Sequence, residues 1–229
     1  MSLNKCVVSF ADSAGNYQKK LLRLEQSLKG NFDGDFLGFT SYKEIGAPHH
    51  SEIPYAFKPF AIQKAIDLGY DLVLWADSPV YAIKSIEPVF GHIEHRSYLL
   101  FDNIGFSLGD YSSDKQLNYF GITRQQAWGI KQIMACVMGF NFVQPDVRKW
   151  FKTYKDVAND LYPGEWDNDD LTESKDMRVR GSRHDQSVMS CIAHVEELDI
   201  TNAQENYFCY LEHKKFLTIS SGVCMYSAG

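Results

Sequence analysis

The sequence predicts an α/β fold: one domain over residues 1–229, with a mixed, mostly parallel sheet and helices on both faces. Three observations carry this. Short apolar runs alternate with segments of helical periodicity along the first third of the chain. The runs end in polar turns, as strands that feed crossover helices do. The length of 229 residues and the 45% hydrophobic content suit one folded core and exclude disordered or low-complexity classes.

Taken in order, Cys6–Phe10 reads as a buried strand and Asp12–Gly15 as the loop after it. Leu21, Leu24 and Leu28 follow a helical period from Tyr17 onward, and Phe36–Thr40 is the next strand. Pro59 suits the first turn of a helix that runs to Leu68, and Gly69 ends it. Leu72–Trp75 is the most apolar strand, and Tyr98–Phe101 another. The stretch Asp102–Gly121 reads as loop. Thr123-Arg124-Gln125-Gln126 matches a capping box and predicts a helix start. Met134–Phe142 is long enough for a central strand. Pro145 opens an amphipathic helix that carries Val147, Trp150, Phe151 and Tyr154. Glu165–Glu173 is acidic and reads as a solvated surface loop without a metal. Val188, Met189, Ile192 and Val195 mark a last helix, and Tyr207–Ile219 two short strands.

Several function classes are set aside. No apolar run approaches the roughly 18 residues of a membrane span, and the start shows no apolar signal region. The formal net charge of −6 gives no support to a nucleic-acid partner. The five cysteines, at 6, 136, 191, 209 and 224, form no Cys-x-x-Cys. They point to a reducing, cytoplasmic setting rather than disulfides or structural zinc.

The chemistry-bearing candidates sit at element ends. Asp77 follows an apolar strand, where open α/β sheets bind ligands. A carboxylate there can hold a divalent cation against a diphosphate; the structural alternative is a turn cap for Asp77-Ser78-Pro79. Lys58 precedes Pro59 among Tyr55, Phe57 and Phe60; it suits a phosphate, or else lies on the surface. Arg183-His184-Asp185-Gln186-Ser187 leads into the last helix. Asp185 suits a general base, or else a carboxylate favoured by the helix dipole. Phe10, Asp12, Ser13 and Tyr17 surround the first loop, which can hold a base or ribose. That loop is neither a G-x-G-x-x-G nor a P-loop. His49-His50, the pair His92 and His95, and His213 are weak metal signals. The acidic run Asp167–Asp170 is most simply solvated.

In that order the segments resemble the GT-A glycosyltransferases, especially small bacterial and viral members linked to surface-polysaccharide synthesis. Val7–Ala11 with its polar loop and Tyr17 is similar to their first strand and nucleotide loop. Tyr55–Ile62, around Lys58-Pro59, resembles the W-K-P segment, and Leu74-Trp75-Ala76-Asp77-Ser78 the strand ending in D-x-D. Met134–Asn141, ahead of Trp150, resembles the G-V-x-G-F strand, and Arg183–Val188 the late H-D-Q segment. The resemblance spans about Lys5 to Glu197. It implies a nucleotide-sugar donor, a glycan or other hydroxyl acceptor, and Mn²⁺ or Mg²⁺ on Asp77. It also implies donor contacts from Phe10, Asp12, Tyr17, Lys58, Asp77, Ser78, His184 and Gln186, and a catalytic Asp185. One departure stands out: Pro79 replaces the second carboxylate of D-x-D and offers no ligand.

The expected activity is therefore transfer of a sugar from a nucleoside diphosphate to a hydroxyl. The alternative is a non-catalytic nucleotide- or sugar-binding protein with a degenerate metal motif. A sugar-1-phosphate nucleotidyltransferase would need a Gly-rich basic loop after the first strand, and Asp12-Ser13-Ala14-Gly15-Asn16 is not one. On the donor-site expectation, Asp12 and Asp77 share one rim of the sheet.

Overall fold

A computed structural model describes residues 3–201, 206–210 and 220–228. The chain runs β1 (Lys5–Phe10), α1 (Tyr17–Leu28), β2 (Asp35–Phe39), α2 (Tyr42–Ile45), α3 (Phe57–Asp67), β3 (Leu72–Ala76) and β4 (Val80–Ala82). It continues through α4 (Glu87–Arg96), β5 (Tyr98–Ser107), α5 (Asp114–Tyr119), α6 (Arg124–Ala127) and β6 (Lys131–Asn141). The last part holds α7 (Pro145–Asp156), α8 (Ala158–Leu161), a 3₁₀ turn at Asp169–Leu171, α9 (Asp185–Val195), β7 (Phe208–Tyr210) and β8 (Met225–Ser227).

The main sheet has five strands in the order β2-β1-β3-β6-β5. β1 pairs in parallel with β2 and β3, whereas β6 runs antiparallel to both β3 and β5. Four strands thus point one way and β6 the other. The sheet is buried on both faces, which explains why β1, β3 and β6 read as continuous apolar runs instead of alternating ones. Period two divides their side chains. Cys6, Val8, Phe10, Val73, Trp75, Ile133 and Ala135 pack under α3, α7 and α9. Val7, Leu72, Leu74, Ala76 and Met134 pack under α1, α4 and the second sheet. That second sheet, order β4-β8-β7, has three short strands.

Three differences from the sequence expectations have local causes. Asp102–Gly121 is not all loop. β5 extends to Ser107, because it keeps pairing with β6 through register shifts. α5 lies within the same stretch, started by a capping box in which Ser113 and Gln116 bond reciprocally. The Thr123 capping box is present but starts only the single turn of α6. In the tail, β7 falls within the expected strands, while 211–219, with His213, lies outside the described residues. No described helix is long and apolar enough to cross a membrane.

Candidate functional site

Period two also builds the site. Asp77 is two residues past Trp75, so it emerges on the face that α3 and α9 cover. Trp75 is fully buried, and its indole Nε1 donates to Asp77 Oδ1 at 2.8 Å. α3 starts at Phe57 and tolerates Pro59 because a first-turn residue needs no intrahelical N–H bond. This start turns Lys58 inward, where it is 3% exposed. Its Nζ lies 3.3 Å from Asp77 Oδ1, 3.2 Å from Asp185 Oδ2 and 3.0 Å from the Ala135 carbonyl of β6. The ammonium's three hydrogens therefore have three acceptors.

Asp185 opens α9 and is 2% exposed. The Tyr154 hydroxyl, from α7, donates to its Oδ2 at 3.3 Å, and the Tyr162 hydroxyl donates to the Tyr154 carbonyl at 2.9 Å. Burial pushes the Asp77 and Asp185 carboxyls above the ordinary range, and the Lys58 charge between them pulls both back. The two acids differ in access. Asp185 lies beneath the site floor and does not line the cleft above it. The Asp77 side chain is 29% exposed, and its Oδ2 has no donor among the described residues.

Above Asp77 lies a cleft of about 300 Å³, within the range of small-molecule sites. Phe10, Asp12, Tyr17, Asp77 and Ser78 line it, together with Tyr42, His50, Tyr55 and Phe57. Asp12 and Asp77 thus share the rim formed by the carboxyl ends of β1 and β3. The Phe10 ring stacks on Phe57 at 4.8 Å and meets Tyr42 at 4.7 Å. Asp12 closes its own loop, since Oδ1 accepts Ala14 N at 2.9 Å and Oδ2 accepts the Tyr42 hydroxyl at 2.7 Å. Lys58, His184 and Gln186 are not among the lining residues. Lys58 acts from below, through Asp77. Gln186 is half-buried, and its carbonyl accepts the Ser190 hydroxyl.

His50 is part of the cleft wall rather than a metal ligand. Its Nδ1 accepts Tyr55 N at 3.1 Å, which leaves the proton of the neutral ring on Nε2. Burial lowers its pKa. His184 is 1% exposed, stacks on Tyr55 at 5.4 Å, and has its Nδ1 at 2.7 Å from the Tyr162 carbonyl. Its Nε2 is buried without a partner among the described residues, and burial lowers its pKa as well. Tyr55 (φ 60°) and His184 (φ 51°) both have left-handed backbones, so the two stacked rings sit on two strained residues.

Sequence reasoning missed Tyr42, Tyr154 and Trp166. Trp166 corrects the view of Glu165–Glu173 as a plain solvated loop: it packs edge-on against Tyr55 and His184. Its acidic neighbours form no ligand set. Among the described residues, no three His, Cys, Asp or Glu side chains come together to hold an ion. The same test applies to Mn²⁺ or Mg²⁺ at Asp77. Oδ1 is taken by an indole and lies beside an ammonium, Pro79 offers nothing, and one carboxylate oxygen remains. These residues do not form a site for a divalent cation.

No protein-family model and no curated protein sequence matches this chain. Solved structures do share its fold. One is a glycosyltransferase involved in glycosylation of the major capsid of PBCV-1, with a TM-score of 0.60 and 13% identity over 98% of this chain and 93% of that one. The bifunctional glycosyltransferase WbbM gives 0.59 and 12% over 100% of this chain, which spans 46% of WbbM. Mouse xyloside xylosyltransferase 1 gives 0.52 and 8%, over 99% and 98% of the two chains. At these identities the likeness is one of fold: an α/β architecture with a mixed sheet that glycosyltransferases use.

Proposed function

We propose that this protein is a glycosyltransferase, taking a nucleoside-diphosphate sugar in the cleft and passing the sugar to a hydroxyl of an acceptor, a glycan by the likeness of its motifs. One observation carries the reading: a carboxylate oxygen with no donor among the described residues, Asp77 Oδ2, at the strand end of an aromatic-walled cleft. The half-exposed Tyr17 ring offers a π-face to a base, and Phe10 and Tyr42 back the cleft wall. Asp77 accepts from a sugar hydroxyl. Asp185 is a positioning residue that acts through Lys58, holding the ammonium against Asp77. The chain's contribution to transfer is orientation and charge placement in a partly closed cleft. No step is assigned to a metal.

The crowding of Asp77 by an ammonium favours one further reading, a protein that binds nucleotide or sugar without turnover. Thermal shift with UDP, GDP, UDP-glucose and GDP-mannose, paired with chromatographic detection of released nucleoside diphosphate, separates the two. A ligand at a hundred times its Kd stabilises by about 2.7 kcal/mol, about 5–11 °C for a chain of this size. Stabilisation with release, to water or to an added acceptor, supports the transferase. Stabilisation without release supports the binding protein. No shift with any nucleotide removes both.

A further inference from the structure

Three arginines approach α9 in one run, and each lies over aromatic rings. Arg178 covers Trp128 at 4.6 Å, Arg180 covers Phe106 at 5.6 Å, and Arg183 lies between Tyr111 at 3.8 Å and Trp166 at 4.1 Å. Two have carboxylate partners, Arg178 with Asp176 and Arg180 with Asp110. Arg183 has none among the described residues. Its Nη1 donates to the Trp166 carbonyl at 2.7 Å and to the Ser182 carbonyl at 3.3 Å, and the Tyr111 phenol lies beside it. Asp167 is near enough to be felt but forms no ion pair. A guanidinium close to two rings, with no carboxylate partner among the described residues and in a chain of net charge −6, has its remaining N–H groups available to an anion.

The surroundings are built for rigidity. Ser182 N donates to the Glu165 carbonyl at 2.8 Å and Asn168 N to the Arg180 carbonyl at 3.1 Å, joining the Trp166 loop to the arginine segment. Gly181 (φ 150°) permits this approach, because a Cβ there would lie 1.9 Å from the Trp166 carbonyl oxygen. Trp166 is still 47% exposed. Beside it, His184 keeps a buried Nε2 without a partner. Trp166 contacts Tyr55, which lines the donor cleft, yet Tyr111, Trp166 and Arg183 are not among the lining residues. The stack adjoins that cleft and is separate from it.

We propose that the Tyr111–Arg183–Trp166 stack is the acceptor subsite and takes a sugar bearing a carboxylate, a uronosyl residue. Its carboxylate lies on the Arg183 fork and its ring against the exposed part of Trp166. This rests on the transferase reading for the word acceptor, but the binding itself does not. The test is NMR titration of the Trp166 indole N–H, assigned with Trp166→Phe, using methyl β-glucuronide, methyl β-glucoside, UDP and inorganic phosphate. The expected result is a saturable shift with the glucuronide and binding weaker by roughly tenfold for the neutral glucoside, the size of one charge-assisted contact. Arg183→Gln should abolish that preference and Arg183→Lys should keep part of it, with both variants melting near the wild type. Equal binding of glucoside and glucuronide overturns the proposal, as does no binding of either. A Trp166 shift with UDP or phosphate, lost in Arg183→Gln, overturns it in favour of a donor-phosphate site. If UDP binds the cleft and the glucuronide does not bind, this inference fails and the transferase reading stands. If the glucuronide binds and no nucleotide does, the reverse holds.

Discussion

Lys58→Met tests the centre of the site. The methionine keeps most of the volume and removes the ammonium, so its effect reports charge rather than a cavity. In the wild type that ammonium has contacts of 3.3 Å to Asp77, 3.2 Å to Asp185 and 3.0 Å to the Ala135 carbonyl. Its removal leaves two carboxylates facing each other across a buried gap. Breaking a buried pair from one side costs about 3–5 kcal/mol, because the remaining charge is uncompensated. For a chain of this size that is a fall in Tm of about 6–20 °C. The sign with pH is fixed. Burial already raises both acids, and without Lys58 only hydrogen bonds, from the Trp75 indole to Asp77 and from the Tyr154 hydroxyl and the Gln186 N–H to Asp185, still pull them back. The folded variant then holds protons that the unfolded chain releases above about pH 4, so its deficit grows as pH rises and shrinks on acidification. Urea melts of wild type and variant at pH 5 and pH 8 measure this. Lys58→Met with Asp185→Asn should recover much of the loss at pH 8, since one buried charge goes with the other. A deficit below about 1 kcal/mol at pH 8, or an equal deficit at both pH values, would refute the reasoning.

Three further outcomes follow from the same geometry. Gly181→Ala should cost about 1–3 kcal/mol and speed proteolytic cleavage within 165–173, because the added Cβ forces the Trp166 loop off the arginine segment; an unchanged melting temperature and digestion rate would count against that packing. His50 and His184 bind protons less readily folded than unfolded. Stability present above about pH 6.5 is therefore lost as pH falls, and His184→Asn should flatten that part of the profile. Comparing the two proteins in urea isolates the ring from Asp77 and Asp185, whose raised pKa values act with the opposite sign. Removing divalent cations with EDTA should change UDP affinity, read by calorimetry, by less than about threefold; a tenfold loss would give Asp77 a metal after all.

The outline of the site was legible at strand ends. Leu72–Trp75 is apolar enough to mark a central strand, and a strand that ends in Asp77 aims it at the ligand edge. The meeting of Lys58 with Asp77 and Asp185 was not legible, because it depends on α3 and α9 covering the same face of the sheet. Sequence spacing carries no information about which face a crossover helix takes. Other features were open to reading. Ser113-Asp114-Lys115-Gln116 has the same capping-box pattern as Thr123–Gln126, and it marks a helix inside a stretch rich in Gly, Ser and Tyr. Trp166 is the one aromatic residue in Glu165–Glu173, an anomaly that a freely solvated loop does not explain. The small sheet carried no such signal: β4 and β8 are three residues each, too short for a period to show.

The lysine changes what the two acids can do. With both carboxylates ionised, the single ammonium leaves an excess of one negative charge at the floor of the cleft. That excess has three possible counterweights: a proton, a cation, or hydrogen bonds from a ligand. A proton is favoured by burial but opposed by Lys58 and by the Trp75 indole, both of which prefer Asp77 ionised. A cation placed on Asp77 would face the ammonium 3.3 Å from the same carboxylate. Sugar hydroxyls, the ligand groups of the proposed function, would meet no such repulsion and would donate to Asp77 Oδ2 without adding charge. Where the D-x-D pattern that this segment resembles has a second acid, the chain has Pro79, and the charged group beside Asp77 is the Lys58 ammonium. On the transferase reading, this arrangement suits recognition of sugar hydroxyls through an ionised acceptor.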